Sequence, residues 1–436
     1  MAQQRPHKGA RPVYIVDGLR TPFLKAQGVG PFSASELAVQ AGRQLLLRHP
    51  IDPASFDEVV LGCVMPGPDE ANIARVVALR LGCGDRVPAF TVQRNCASGM
   101  QALDSAARNI VGGQSDLVLA GGTEAMSHAP VLWNLMMTSW LYNWSRARSL
   151  AGRFRALAEL RPAYLRPVIG LLRGLTDPVV GLTMGQTAEV LAERFDITRR
   201  AMDEYAVESH CRLAQAHAQG WMEEITPLYD RHGRVYQQDD GLRTDTTVER
   251  LARLKPVFDR HYGRVTAGNS AQITDGAAWL ILASAEAVEK HDLPVLGRLV
   301  DSHWSGLDPA QMGLGPAHAM NAILKRRRLK PEDIDYWEIN EAFAAQILAC
   351  RAVWQDNGYS RKELGRSKAV GEIPHARLNV DGGGISLGHP VGGSGARIVL
   401  HLLRVMERHN AKRGIASLCI GGGQGGAMLL QRGEGP

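Results

Sequence analysis

The sequence predicts an α/β protein built as a duplicated unit, with a largely helical segment inserted in its first half. Three observations carry this expectation. Short β-rich runs alternate with amphipathic stretches through the first 127 residues, the rhythm returns in the final third, and the middle lacks it.

In chain order, Pro12-Val-Tyr-Ile-Val16, Glu58-Val-Val-Leu61 and Asp116-Leu-Val-Leu-Ala120 read as buried strands. Ser35 to Leu47 and Gly99 to Val111 have the apolar period of helices. In the last third, Asp335-Tyr-Trp-Glu-Ile339 reads as a strand, about Glu341 to Trp354 as a helix, and Ile415-Ala-Ser-Leu-Cys-Ile420 as a strand. Such alternation predicts parallel sheets with helices on both faces. The two ends also match. A helix opening at Cys96 leads to a strand ending in Ala120-Gly-Gly122, and one opening in His389-Pro-Val-Gly-Gly-Ser394 leads to a strand ending in Ile420-Gly-Gly-Gly423. The match reads as a duplication that points two equivalent helix N-termini at one cleft.

From about Ser127 to Val248 helical signals dominate. Trp133, Met136, Met137, Trp140 and Trp144 fall at helical spacing, followed by Arg146, Arg148, Arg153, Arg155 and Arg161. A stripe of this kind packs on its own protein, or it touches a partner or a membrane with the arginines toward anionic head groups.

At 436 residues the chain implies two or three domain-sized units, and its apolar (45%) and charged (22%) fractions are those of a globular protein. The six cysteines, Cys63, Cys83, Cys96, Cys211, Cys350 and Cys419, are scattered, so neither a disulfide framework nor a zinc site is expected. Met1 to Arg11 is polar and lacks the apolar stretch of a secretory signal, and no run approaches the ~18 apolar residues of a spanning helix. The expectation is a cytoplasmic protein without a metal and without a nucleic-acid partner. A net charge of +6 suits an acidic ligand or an anionic surface.

Four segments, two of them rich in glycine, carry candidate chemistry. In Gln93-Arg-Asn-Cys-Ala-Ser-Gly-Met100, Cys96 lies between a strand ending at Val92 and a helix. A lone cysteine is most often a core residue, but a thiol at a helix N-terminus feels its positive end, which lowers its pKa toward neutrality. His389 stands among seven glycines between Asp381 and Arg397, where backbone can approach a substrate closely; the plain alternative is a structural loop histidine. Cys419-Ile-Gly-Gly-Gly-Gln-Gly-Gly-Ala427 has the spacing of a dinucleotide turn, but Ala427-Met-Leu-Leu430 reads as a strand where that turn needs a helix. Asn340 sits where a strand meets a helix, as a cap or as a site residue.

Together these blocks resemble the signatures of the thiolase family, in the family's order. Val16-Asp-Gly-Leu-Arg-Thr-Pro-Phe23, Gly121-Gly-Thr-Glu-Ala-Met-Ser127, Met184-Gly-Gln-Thr-Ala-Glu189 and Gly268-Asn-Ser-Ala-Gln-Ile-Thr-Asp-Gly-Ala277 agree, so the resemblance spans nearly the whole chain. It implies duplicated thiolase-like α/β/α/β/α halves: residues 1–127 and 249–291 as the N-terminal domain, 128–248 as an inserted loop domain, and 292–436 as the C-terminal domain.

The resemblance also implies roles. Cys96 attacks the carbonyl and carries the acyl group, and His389 accepts its proton. Cys419 exchanges a proton with the α-carbon of acetyl-CoA or with the leaving enolate. Asn340 positions a water that, with His389, holds the thioester oxygen, while backbone N–H groups of Cys96 and Gly421 hold the acyl oxygen. Ser270 is the residue offered for the pantetheine arm, one position from the family's usual Asn-Ala-Ser. Coenzyme A thioesters are then substrates and no cofactor is permanently bound. The longer middle region resembles the β subunit of fatty-acid oxidation complexes, which implies 3-ketoacyl-CoA thiolysis, a homodimer or tetramer, and an enoyl-CoA hydratase/3-hydroxyacyl-CoA dehydrogenase partner. The alternatives are a biosynthetic acetoacetyl-CoA thiolase, a non-catalytic thiolase-like lipid carrier or scaffold, and a ketosynthase; against the last stand Asn340 and Cys419, where ketosynthases place a second histidine.

Overall fold

The computed structural model describes residues 11–433, so most of the N-terminal stretch read as lacking a secretory signal lies outside the described residues. The strands β1 (Val13–Arg20), β2 (Glu58–Gly62), β3 (Ala89–Val92), β4 (Leu117–Ala125), β5 (Thr274–Ala283), β6 (Gly297–Gly306), β7 (Tyr336–Ile339), β8 (Arg413–Ile420) and β9 (Gln424–Gln431) join one sheet. Their order is β7-β8-β9-β6-β1-β5-β4-β2-β3, and the short strand Leu24–Lys25 adds to β5.

This order contains the duplication. β2-β4-β5-β1 in the first half corresponds to β7-β8-β9-β6 in the second: a parallel pair, then two antiparallel neighbours. Each half has a register shift at the same place, between Ile15 and Asp17 in β1 and between Leu299 and Asp301 in β6. The equivalent strands β1 and β6 pair antiparallel, Val13 opposite Leu299, so the halves meet about a local twofold.

The wholly parallel sheets expected from the alternation do not form. A tight turn at Gly421–Gly423, with Gly422 and Gly423 at positive φ, joins β8 to β9, and so short a link permits only an antiparallel return. In the first half the corresponding link, between β4 and β5, is the whole stretch 126–273. The insertion therefore stands where the other half has a three-glycine turn. The expected boundary near residue 248 falls at the start of a short helix, Val248–Ala252, inside that stretch.

Helices complete the layers: α1 (Ala34–Leu47), α2 (Ser98–Val111), α3 (Leu135–Arg146), α4 (Leu150–Ala158), α5 (Met184–Arg194), α6 (Arg199–Ala218), α7 (Gly315–Arg327), α8 (Ala344–Gln355) and α9 (Val391–Arg408). α2 and α9 fill the centre with Met100, Leu103, Ile398, Val399 and Leu402. α1 covers the outer face of the first half-sheet with Leu37, Ala41 and Leu45, and α7 and α8 cover that of the second with Met320, Ile323 and Ile347. This is the α/β/α/β/α arrangement.

α2 and α9 touch backbone to backbone at their first turns. A Cβ on Gly99 would come 2.9 Å from the Gly392 carbonyl oxygen, and one on Gly395 would come 2.5 Å from the Met100 nitrogen. Glycine at both positions lets the two N-termini lie side by side.

Every residue of α9 from Val391 to Leu403 is buried, so its polar groups need internal partners. Arg397 pairs with Glu338 at 2.5 Å. His401 lies between Glu224 (2.9 Å) and Asp381 (3.3 Å). Arg20 meets Asp239 at 2.7 Å and Glu224 at 3.4 Å, and Arg408 meets Asp381 at 2.6 Å. This network ties α9 to β1, to the end of the insertion and to the turn before His389. Although burial opposes its charge, the carboxylates raise the His401 pKa to about 10. Glu224 and Asp381 are correspondingly held below the ordinary carboxylate range.

Only Met137 of the aromatic and methionine stripe is buried; Trp133 and Met136 are half exposed. Packing on the protein's own core thus describes little of this segment. Among the described residues no helix is long and apolar enough to cross a membrane.

Removing the His401 imidazole should take one cationic partner from each of two buried carboxylates, leaving Glu224 to Arg20 and Asp381 to Arg408. We expect His401→Gln to cost about 3–5 kcal/mol. Because the folded-state pKa is raised, the stabilisation is complete below about 6.5 and is lost as pH rises through about 10. Thermal unfolding should show wild-type stability declining across that window and the variant lacking the decline.

Candidate active site

Cys96 lies on a turn between β3 and α2, and the regular helix begins at Ser98, two residues later than the sequence suggested. Asn95 adopts φ 45°, and the turn is closed by the Ser98 hydroxyl, which accepts from the Arg94 N–H (2.9 Å) and donates to the Asn95 carbonyl (2.8 Å). The Asn95 amide donates to the Gly421 carbonyl at 2.8 Å. Arg94 donates to the Gln424 side chain at 3.1 Å and stacks over Trp304, 4.2 Å from the ring centroid. The Cys96 turn is thus built against the β8–β9 hairpin of the other half.

The helix N-terminus does not make Cys96 acidic. Burial pushes its thiol above the ordinary range, while the N–H groups of Gly421 and of Cys96 itself pull the other way. The same two N–H groups are the ones the resemblance implies for an oxyanion hole, and both act on the sulfur. Cys419, at the end of β8, is fully enclosed and its thiol is pushed up further, by burial and then by the neighbouring Cys96 and Cys350. At rest both sulfurs are neutral thiols.

His389 lies just before α9. Burial, then Arg397, lower its pKa to about 3, so the ring is neutral. Its orientation is fixed. The Ser394 hydroxyl donates to the Pro390 carbonyl (2.9 Å), which leaves its oxygen to accept from His389 Nδ1 at 2.6 Å. Nδ1 therefore carries the proton, and Nε2 is left with a lone pair. Nε2 faces the Asn340 side-chain amide at 3.4 Å.

Asn340 is not a helix cap: α8 begins at Ala344, and Asn340 is fully buried with its N–H on the Ser417 carbonyl at 2.9 Å. Its Oδ1 makes no hydrogen bond within the chain. Cys96, His389, Cys419 and Ser270 line one cavity of about 720 Å³, whose other walls are mainly apolar: Met126, Leu175, Met184, Phe258, Met312 and Phe343. Ser270 donates its hydroxyl proton to the Thr266 carbonyl at 2.7 Å, so only its oxygen remains for a ligand.

Two buried glutamates, not singled out by sequence reasoning, organise the site. Glu341 accepts from the Tyr205 hydroxyl (2.9 Å), the Ser209 hydroxyl (2.7 Å), the Asn379 amide (3.1 Å) and the Ile385 N–H (3.2 Å). It thereby ties α6 of the insertion to the loops carrying Asn340 and His389. Glu124 accepts from the N–H groups of Val64 (2.9 Å), Met65 (3.0 Å) and Gly392 (3.0 Å), at the start of α9. Burial raises its carboxyl to about 7. Both stand in quoted motifs, Asn340-Glu-Ala-Phe and Gly-Gly-Thr-Glu124, and a place inside those motifs was the available signal. Among the described residues no group of three or more His, Cys, Asp or Glu could hold a metal ion.

Alkylation tests the state of Cys96. Its reaction with iodoacetamide should keep accelerating as pH passes the ordinary thiol value of about 9. Peptide mass mapping separates it from the exposed Cys211. A plateau below about pH 8 would show a preformed thiolate instead.

Residues 13–286 match the family described as Thiolase, N-terminal domain, and residues 293–432 match Thiolase, C-terminal domain. A 3-ketoacyl-CoA thiolase of Yersinia pestis (strain Pestoides F) is 35% identical over 96% of each chain. The crystal structure of the Bacillus anthracis acetyl-CoA acetyltransferase is similar with a TM-score of 0.84 and 37% identity, covering 97% of this chain and 99% of that one. That of human mitochondrial 3-ketoacyl-CoA thiolase in complex with CoA has a TM-score of 0.82 and 36% identity, covering 97% and 98%. The chain belongs to the thiolase family and is an acetyl-CoA C-acyltransferase.

Proposed function

We propose that this thiolase cleaves 3-ketoacyl-CoA with CoA, giving acetyl-CoA and an acyl-CoA two carbons shorter, as one step of fatty-acid β-oxidation. The observation that carries this reading is the apolar cavity of about 720 Å³ around Cys96, His389 and Cys419. Condensation of two acetyl-CoA molecules is the same chemistry reversed, and it would leave most of that apolar wall unfilled.

In this reading His389 Nε2, unprotonated and aimed by Ser394, takes the Cys96 proton as the sulfur attacks the 3-keto carbon. The oxygen gathers charge facing the Cys96 and Gly421 N–H groups. The C2–C3 bond breaks, its electron pair forms the enolate of acetyl-CoA, and Cys419 protonates the α-carbon. The thioester oxygen of that fragment is held by His389, now an imidazolium, and by a water on the free Asn340 Oδ1. CoA then enters, gives its thiol proton to the Cys419 thiolate, and attacks the acyl group on Cys96, which leaves as the thiolate and recovers its proton from His389. Losing one oxyanion donor typically costs about 3–4 kcal/mol of transition-state stabilisation.

The phosphates of CoA find positive charge at Arg243, which lines this cavity and a smaller one beside it with Arg250 and His210. In this reading the Ser270 oxygen, which lines the same cavity, meets the pantetheine arm. A homodimer or tetramer is supported by β3, the terminal strand of the sheet on the side of the first half, with Phe90 39% exposed on it. Cytoplasmic placement and a hydratase/dehydrogenase partner complete the proposal.

Thiolysis of 3-ketoacyl-CoAs of increasing length tests the reading. A buried methylene contributes about 0.8 kcal/mol, so medium and long chains should exceed acetoacetyl-CoA in kcat/KM by about tenfold or more. A preference for acetoacetyl-CoA would reverse the assignment. Cys419→Ser should still accept an acyl group from acetyl-CoA, visible as added intact mass on Cys96, because thioester exchange breaks no C–C bond. Its thiolysis should fall by about 10²–10⁴-fold.

A further inference from the structure

The stretch from Val131 to Leu172 turns its apolar residues outward. Thirteen of the twenty-five large hydrophobic side chains exposed among the described residues fall within it. Val131, Leu135, Leu150, Phe154 and Leu172 are between 62% and 84% exposed. A soluble surface does not ordinarily concentrate apolar side chains in this way.

The stretch is nonetheless a built unit. The Trp140 indole donates to the Ala156 carbonyl at 2.7 Å, locking α3 to α4, and Trp140 stacks on Trp144 with centroids 5.5 Å apart. The Asn134 amide spans the carbonyls of Ala163, Tyr164 and Arg166. A hairpin of Val131–Trp133 with Pro167–Ile169 closes its base.

Its charge is one-sided. Between Val131 and Leu175 stand seven arginines, a single glutamate (Glu159), and no lysine or aspartate. The segment's net +6 equals the formal net charge of the entire chain, so the rest is balanced. All seven arginines are exposed. No salt bridge among the described residues involves any of them.

We propose that this arginine-rich apolar excursion docks on an anionic lipid surface. Leu135, Leu150 and Phe154 would enter the acyl boundary, and Arg146, Arg153 and Arg155 would meet the phosphate head groups. A second copy is disfavoured as the occupant, because it would set seven arginines against seven. Leu172 and Leu175 also line the cavity of Cys96, so the apolar surface leads toward the space proposed for the acyl chain. The inference does not depend on the direction of the thiolase reaction.

The test is co-sedimentation of the full-length protein with phosphatidylcholine vesicles containing or lacking phosphatidylglycerol. We expect binding to the anionic vesicles only. A Leu135→Asp/Phe154→Asp double variant and an Arg153→Glu/Arg155→Glu double variant should each lower the bound fraction about tenfold or more, with thiolase turnover unchanged as the check on folding. An active wild-type protein that stays in the supernatant, or that binds both vesicle types equally, overturns the proposal. So does lipid-free self-association, by light scattering, that the Leu135→Asp/Phe154→Asp change abolishes.

Discussion

Where α2 crosses α9, two helices approach until the glycines at 99 and 395 leave room for no side chain. The contact sets the distance between the two catalytic halves. Cys96 hangs from the start of one helix and His389 from the start of the other, so a widened crossing would move both at once. Cys419 and Asn340 follow, because the β8–β9 hairpin is bonded to the Cys96 turn through Asn95 and Arg94, and Asn340 is bonded to β8 through Ser417. A core that admits neither cavities nor extra methylenes makes such a crossing rigid. The ionic partners along α9 then keep a helix without a solvent face from shifting along its axis.

The duplication explains where the freedom of this fold lies. In the second half, three glycines turn β8 directly into β9. In the first half the same link is expanded into the stretch 126–273, which supplies α6 and a wall of the cavity. Two topologically equal positions thus do different work. One gives backbone N–H groups to the sulfur; the other gives shape to the substrate space and, through Glu341, a second anchor for the loops around His389.

Much of this was legible in the sequence because local signals and site chemistry coincide. The strands around Val13–Val16, Leu117–Ala120 and Ile415–Ile420 are continuously apolar, since both faces are covered. Cys96, His389 and Gly421 stand in turns whose glycines are required by close backbone contact, while Asn340 and Cys419 stand at the ends of strands. What sequence misjudged depends on long-range partners. Strand direction at β5 and β9 follows from how the links close, which periodicity does not encode. The helix end beneath Cys96 was legible, but the enclosure that overrides it comes from residues hundreds of positions away. Glu124 and Glu341 read as ordinary acidic residues until burial made each the hub of several backbone and hydroxyl donors.

The neutral state of the two active-site sulfurs also bears on durability. Peroxides and other oxidants react with thiolates, and exposed thiolates climb toward sulfinic and sulfonic acids that cellular reductants do not reverse. Burial holds both thiols toward the protonated form, and in the proposed mechanism His389 draws the proton from Cys96 only once a substrate is seated. In that mechanism the Cys96 sulfur becomes strongly nucleophilic when a carbonyl already stands before it. A resting enzyme of this design keeps its reactive thiol out of competing redox chemistry while waiting for an acyl group.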